Sequence, residues 1–279
     1  MATIDENIAM WGRDYDWSQH GDEWSDSWGS AAAQWYFSLL PRIRDLVPAP
    51  RVLEIAPGYG RWTHYLRALA TEQLTVVDLN ERCIAACKER FAGDTHMEYH
   101  VNDGRSLAMI PDGTIDLVFS FDSLVHAESD VMQEYVQQIA RKLTQEGVGV
   151  IHHSNMGELD GYRTRIAALP FFVRKFLRAT GRLDTIDHQW RARTMTAAKF
   201  ATVAQAAGLA VLSQELHNWH SVGLIDAISV FARRDSQRAR ANGPTRVFRN
   251  ADFMRDAEHA RRIAALAGAR PGARPAQDR

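Results

Sequence analysis

This chain has little of what marks a secreted, membrane-spanning or nucleic-acid-binding protein. Its 279 residues include two cysteines, Cys83 and Cys87. They lie one helical turn apart, cannot build a disulfide framework, and without two further ligands do not make a zinc site; packed thiols are the expectation. No apolar run is long enough to span a bilayer and no secretory signal pattern is present, so the expectation is a cytoplasmic protein with no membrane partner. Net charge is −1, with 33 Lys and Arg against 34 Asp and Glu, which removes the electrostatic reason to expect a nucleic-acid partner. The charge is uneven: from Arg233 to the end there are 12 Arg against 5 Asp and Glu, so an acidic body carries a basic tail. The chain also lacks a Tyr-x-x-x-Lys pair, and its one glycine-rich turn lacks a third glycine. Both absences argue against a nicotinamide-dependent oxidoreductase, whose pyrophosphate turn reads G-x-G-x-x-G.

What is present is a chain with 46% hydrophobic residues, enough for one elaborated domain. It is organised around Val52-Leu53-Glu54-Ile55-Ala56-Pro57-Gly58-Tyr59-Gly60-Arg61. A short apolar run ending in an acid, then a glycine-rich turn, then a helical pattern over 61–70, reads as strand, tight loop and helix. Gly58 and Gly60 let the backbone approach a ligand closely. A second strand, Leu74 to Leu79, places Asp78 at the interval where an acid accepts bonds from ribose hydroxyls in nucleotide-binding α/β folds. A helix over 80–91 and a third strand, His96 to Val101, lead to Asn102-Asp103-Gly104. The fourth strand, Ile115 to Phe121, is apolar enough to be buried on both faces and runs into Asp122-Ser123-Leu124-Val125-His126. A helix over 130–143 precedes the fifth strand, Val148 to Asn155, which contains His152 and His153 on opposite faces.

The glycine-rich turn and the order of elements after it, over about 100 residues, resemble the class I S-adenosylmethionine-dependent methyltransferases. Ala56 departs from that family, standing where its first glycine usually is. The resemblance implies an α/β fold: a Rossmann-like, seven-stranded, mostly parallel sheet with helices on both faces and an antiparallel pair at one edge, expected here at 209–217 and 226–233. It implies S-adenosylmethionine as cofactor, held by Glu54, Ala56, Gly58 and Gly60, by Asp78 and Leu79, by Asp103 and Gly104 with Asp103 on the adenine amino group, and by Phe121. Methyl transfer to an aliphatic hydroxyl also needs a base near neutrality, and His126 and His153 are the candidates. A metal-dependent variant would draw on Asp122, His153 and Asn155 to hold magnesium.

The flanks add an expected acceptor. Five of the eight tryptophans fall in residues 1–45. Trp24, Trp28 and Trp35 share a helical face suited to the sheet, whereas Trp11, Tyr15 and Trp17, set among Gly12, Asp14, Asp16 and Ser18, suit a lid over a polar ligand. Residues 156–195 break the alternation and read as an insertion walling the acceptor site. Aromatic and polar groups together at Tyr15, Trp17, His188, Trp190, Arg191, Asn218, Trp219 and His220 fit a sugar better than a lipid. The turn, the Ser120-Phe-Asp-Ser-Leu-Val-His segment and Ile151-His-His-Ser-Asn also resemble bacterial sugar and polysaccharide O-methyltransferases, including those of methylmannose polysaccharides. The division expected is an aromatic-rich helical lid (1–45), a cofactor-binding domain (46–235) and a basic tail (236–279). The tail carries an amphipathic helix, Asn250 to Leu266, that docks on the body or on a second subunit as a homodimer, and ends in a disordered dozen residues. The rival readings are a methyltransferase of a phenol, amine or carboxylate, a nicotinamide-dependent oxidoreductase, and a binding module that has lost catalysis.

Overall fold

A computed structural model describes residues 3–11, 15–180, 190–219 and 223–266. Gly12, Asp14, Asp187 to Gln189, His220 and the residues from 267 onward, on which expectations were placed, lie outside the described residues. The chain opens with α1 (Ile4–Ala9), capped by a reciprocal pair in which Thr3 accepts from the Glu6 N–H and Glu6 accepts from the Thr3 N–H. A 3-10 stretch (Asp22–Trp28) precedes α2 (Ala31–Gln34), a wider π turn (Trp35–Leu39) and α3 (Leu40–Ile43). There follow β1 (Ala49–Ile55), α4 (Thr63–Leu66), β2 (Ala70–Asp78), α5 (Glu81–Arg90), β3 (Met97–Val101), β4 (Ile115–Ser120), α6 (Ser129–Lys142) and β5 (Leu143–Ser154). The insertion supplies α7 (Asp160–Ala167) and α8 (Phe171–Ala179). The chain then continues through α9 (Ala197–Ala206), β6 (Leu209–His217), β7 (Asp226–Arg233), α10 (Gln237–Asn242), β8 (Arg246–Asn250) and α11 (Met254–Leu266).

The strands form one sheet in the order β3-β2-β1-β4-β5-β7-β6-β8. β3, β2, β1, β4 and β5 are parallel, while β7 pairs antiparallel with both β5 and β6. The chain steps outward from β1 to β2 and β3, then returns to the far side of β1 as β4. That reversal opens a crevice at the carboxyl ends of β1 and β4, where open α/β sheets bind ligands. The sheet has eight strands, not the expected seven. The eighth, β8, comes from the tail and pairs parallel with β6 from Ser213↔Arg246 to His217↔Asn250. Its side chains are mostly exposed, so it has no buried face for a hydrophobic pattern to announce, and Arg246 and Arg249 charge the outer edge. A second difference is that helix 61–70 shrinks to the single turn of α4, because β2 begins at Ala70.

The central strands alternate between two cores. Leu53, Ile55, Val118 and Ile151 face α6 and α9, with Met132, Tyr135, Phe200 and Phe231. Val52, Val76, Phe119 and Val150 face the other way, onto Trp28, Trp35, Phe253, Ala257 and Ala260. Trp28 and Trp35 thus pack against the sheet, and full burial of such rings contributes on the order of 2–3 kcal/mol each. Of the tail face expected over Phe253, Met254, Ala257, Ala260 and Ile263, the first, third and fourth are buried and Ile263 is exposed.

Candidate active site

Two residues at the crevice hold backbone conformations that side chains rarely adopt: Ala56, after β1, with φ +58°, and Asp122, after β4, with φ +65°. An L residue pays about 1–2 kcal/mol for this. Ala56 is held there by its neighbours, since its N–H bonds the Val77 carbonyl (2.7 Å) and its carbonyl accepts the Ser123 hydroxyl (2.8 Å). The missing family glycine is therefore a real departure, paid for as strain. Asp122 donates its N–H to His152 Nδ1 at 3.0 Å.

A cavity of about 410 Å³ opens at this point. One half is lined by Ala56, Gly58, Asp78, Leu79, Asn80, Cys83, Gly104, Val131 and Tyr135. Asp78 Oδ2 accepts from Gly58 N–H (3.2 Å) and Oδ1 from Asn80 N–H (2.8 Å). Burial raises its carboxyl to about 6, against the pull of those two backbone donors and that of Leu79. Glu54 sits behind the loop, accepting from the Thr63 hydroxyl at 2.6 Å, and burial pushes it up to about 8. Glu54 and Gly60 therefore shape the turn rather than line the cavity. Gly60 is needed because a Cβ there would fall 2.6 Å from the Phe91 ring.

Two expected cofactor contacts point elsewhere. Asp103 is exposed and accepts from the N–H groups of Arg105 (2.9 Å) and Ser106 (2.7 Å), the work of a turn-forming Asp-Gly. Phe121 is buried against the rings of His152 (4.4 Å) and Trp62 (5.9 Å).

The other half of the cavity is aromatic, with Trp11, Trp17, Trp24, Trp190 and Trp219 on its walls and Arg61, Asp122, His126 and Arg191 among its polar groups. Trp17 stacks on Tyr59 (4.5 Å, 4°) and donates its indole N–H to the Trp11 carbonyl. Tyr15, expected to meet the acceptor, instead donates to Glu23 behind Trp11, Trp17 and Trp24. Trp190 and Arg191 are brought in by the return of the insertion. Its backbone is fastened by Ala192 N–H to the Val125 carbonyl (2.9 Å), by Ser154 Oγ to the Ala192 carbonyl (2.6 Å), and by Glu128, which accepts from the Thr194 N–H (2.9 Å).

His126 packs against the rings of Trp190 (4.8 Å) and Trp11 (5.4 Å), which also touch each other (5.5 Å), and its Nδ1 has no protein partner. Burial, helped by Arg191, lowers it to about 4, with Asp122, the Trp190 backbone and Asp226 opposing. At neutral pH it is an uncharged imidazole with an open acceptor, and a weaker base than the near-neutral one expected of a histidine. His153 differs. It is fully buried on the other face of β5, stacks on Phe200 (4.4 Å, 5°), and uses both nitrogens, toward the Ser154 carbonyl (2.9 Å) and the Ser229 hydroxyl (2.8 Å). Its side chain faces the α9 core and does not line the cavity, so as a base it is corrected to a core histidine.

Beneath the acceptor half runs a chain of paired charges. Arg61 bonds Asp122 (2.8 Å) and Ser25 (3.2 Å) under the Trp62 ring (4.3 Å). Arg191 clasps Asp226 (2.9 and 3.1 Å) and reaches Asp122 at 4.0 Å. Burial disfavours the ionised form of Asp122, but Arg61, Arg191 and His152 outweigh it and hold its carboxyl below the usual range. Arg61 was not singled out from the sequence; the signal available was an arginine directly after a glycine-rich turn.

The expected magnesium set does not converge. Asn155 spends its side chain on the Leu224 carbonyl and the Ala197 N–H (both 2.8 Å), His153 faces the other core, and Asp122 is held by arginines. Among the described residues one group has a metal-like composition, His152, His217 and Asp226, with ligand atoms within 4.8 Å. It does not fit a metal either. His152 Nδ1 accepts the Asp122 N–H, which leaves its proton on Nε2, the atom that would have to coordinate, and Arg191 already occupies Asp226.

A methyltransferase-domain family model matches residues 52–147. A squalestatin hexaketide synthase of Phoma sp. is 30% identical over 134 residues, 41% of this chain but 5% of that protein. Its counterpart in Cochliobolus lunatus is 39% identical over 64 residues, 20% of this chain and 2% of that protein. The chain thus spans a small part of these relatives. Among solved structures, the CcbJ methyltransferase of Streptomyces caelestis has TM-score 0.50 at 15% identity, covering 75% of this chain and 95% of that one. A Galdieria sulphuraria protein assigned as a sarcosine dimethylglycine methyltransferase has TM-score 0.53 at 14% identity, covering 74% and 86%. At such identities they establish the fold. Residues 52–147 match the methyltransferase-domain family model, and they lie on an α/β sheet of the fold that these solved methyltransferases share.

Proposed function

We propose that the chain is an S-adenosylmethionine-dependent O-methyltransferase acting on a hydroxyl of a ring-bearing small molecule, a sugar first among them, with His126 as general base. The observation that carries this reading is the position of His126: an uncharged imidazole with an unpartnered Nδ1, packed beside two indoles, in the same cavity as Asp78. Asp78, backed by Gly58 and Asn80, keeps acceptor lone pairs for ribose hydroxyls, and Ala56, Leu79 and Gly104 line the cavity beside it. The bound cofactor supplies an electrophilic methyl on a sulfonium. The rest is positioning by the protein: the indoles of Trp11 and Trp190 take the flat face of the acceptor ring, and His126 Nδ1 accepts the hydroxyl proton as oxygen becomes the nucleophile. The aromatic walls serve a phenol nearly as well, which makes a phenolic acceptor the second reading.

The test is a panel of sugars, phenols and amines incubated with labelled S-adenosylmethionine. Transfer to sugar hydroxyls is expected, with His126→Asn lowering kcat about 100-fold or more and leaving S-adenosylhomocysteine affinity intact. Transfer to phenols or amines alone removes the sugar assignment, and full activity of His126→Asn removes the base.

A further inference from the structure

The helix α8 is built the wrong way round for a water-soluble surface. At 3.6 residues per turn, Val173, Arg174 and Leu177 fall on the half-buried side. Phe171, Phe172 and Phe176 face outward, 72%, 72% and 60% exposed, with Lys175 exposed between them. Lone exposed apolar residues need no explanation, but three phenylalanines on one helix face form a patch that asks for a partner. The helix and the stretch just before it are basic, with Arg163 paired to Asp160 at the start of α7. Residues 161–180 hold five Lys and Arg and no Asp or Glu, in a chain whose net charge is −1. No helix among the described residues is long and apolar enough to cross a membrane; a short helix with aromatic and basic residues on its open side is suited to lying on one.

We propose that α8 is a docking surface for an anionic lipid bilayer, the three phenylalanines entering the headgroup region and the basic residues around them meeting lipid phosphates. This departs from the expectation of no membrane partner, which rested on the absence of a spanning segment. Charge complementarity favours a bilayer over a protein groove: the phosphate layer offers negative charge over an apolar interior, the arrangement that a phenylalanine patch set in a basic segment matches. A single short helix gives reversible, salt-sensitive association, not permanent anchoring. The stretch that carries α8 leads on to Trp190 and Arg191, so the membrane-facing segment and one wall of the acceptor cavity belong to the same insertion.

The experiment is cosedimentation of the full chain with vesicles of phosphatidylcholine alone or of an equal mixture with phosphatidylglycerol. Binding to the mixed vesicles is expected, about tenfold or more weaker on phosphatidylcholine alone and weakened by salt. The triple variant Phe171→Ser, Phe172→Ser, Phe176→Ser should lose about tenfold or more of that binding while keeping S-adenosylhomocysteine affinity, which shows that it is folded. No binding to mixed vesicles, equal binding to both kinds, or an unchanged triple variant each overturns the proposal. So does a wild-type dimer in solution that the triple variant converts to monomer without any vesicle binding, an outcome that would make α8 an interface between copies. None of these outcomes depends on whether methyl transfer is observed.

Discussion

Acidification offers a direct test of Asp78. Its buried carboxyl sits at about 6, raised by desolvation, and the ionised form is the one that accepts two hydroxyl bonds. Below that value the free protein holds a proton that binding must expel. Affinity for S-adenosylhomocysteine is therefore constant above about pH 7 and falls as pH drops through 6. At pH 5 about one molecule in eleven has Asp78 ionised, so affinity should be about tenfold weaker, close to 1.4 kcal/mol. Calorimetry from pH 5 to 8 reads this directly, and near pH 6 about half a proton should be released on binding, visible as a dependence on the buffer's ionisation enthalpy. Asp78→Asn should bind weakly at every pH and lose the slope. A flat wild-type profile, or the same slope in Asp78→Asn, refutes the assignment. A decline that begins already near pH 8 would implicate Glu54, whose carboxyl lies at about 8.

Three further outcomes follow from the geometry. His153→Ala should cost on the order of 2–3 kcal/mol in urea unfolding, through a core void and the loss of its hydrogen bonds to Ser229 and the Ser154 carbonyl, while the folded fraction keeps its turnover. Ala56→Gly should raise stability slightly, by about 0.5 kcal/mol, because release of roughly 1–2 kcal/mol of left-handed strain exceeds the entropy cost of glycine; a loss in the urea midpoint would show that the loop is not strained. His217 is held at about 3 by burial, with His152 adding to it, so the unfolded chain takes up the proton first. That stability is complete above about pH 6.5 and is lost as pH falls toward 3. Relative to the wild type, His217→Gln should therefore gain about 2 kcal/mol on going from pH 7 to pH 5, and an equal pH response of the two proteins would contradict the burial.

The parts of this protein that the sequence determined by itself are those set by local pattern. Runs such as Val52 to Ile55 and Ile115 to Ser120 can only be buried strands, and the glycine-rich turn between β1 and α4 needs close backbone approach. Asp78 at the end of β2 is placed by the chain itself, which is why it lines the cavity where spacing put it, with Gly58 and Leu79. Trp17, Trp190, Arg191 and His126 were also singled out, as aromatic or titratable groups in segments that the sheet's topology carries to its carboxyl end. Tertiary structure alone decided among residues of equal chemical promise. His152, His153, His126 and His217 are the same side chain; His126 is a pocket imidazole because the segment after β4 lines the cavity, whereas the other three lie within β5 and β6 and are buried there. Asp103 and Asp122 were both acids after strands; one caps its own turn, and the other is captured by Arg61 from another loop. The eighth strand was invisible because β8 buries nothing, and its existence depends on the unpaired edge that β6 presents. Pairings between segments far apart in the chain leave no periodic trace in either segment, because each partner's environment is created only when the sheet closes.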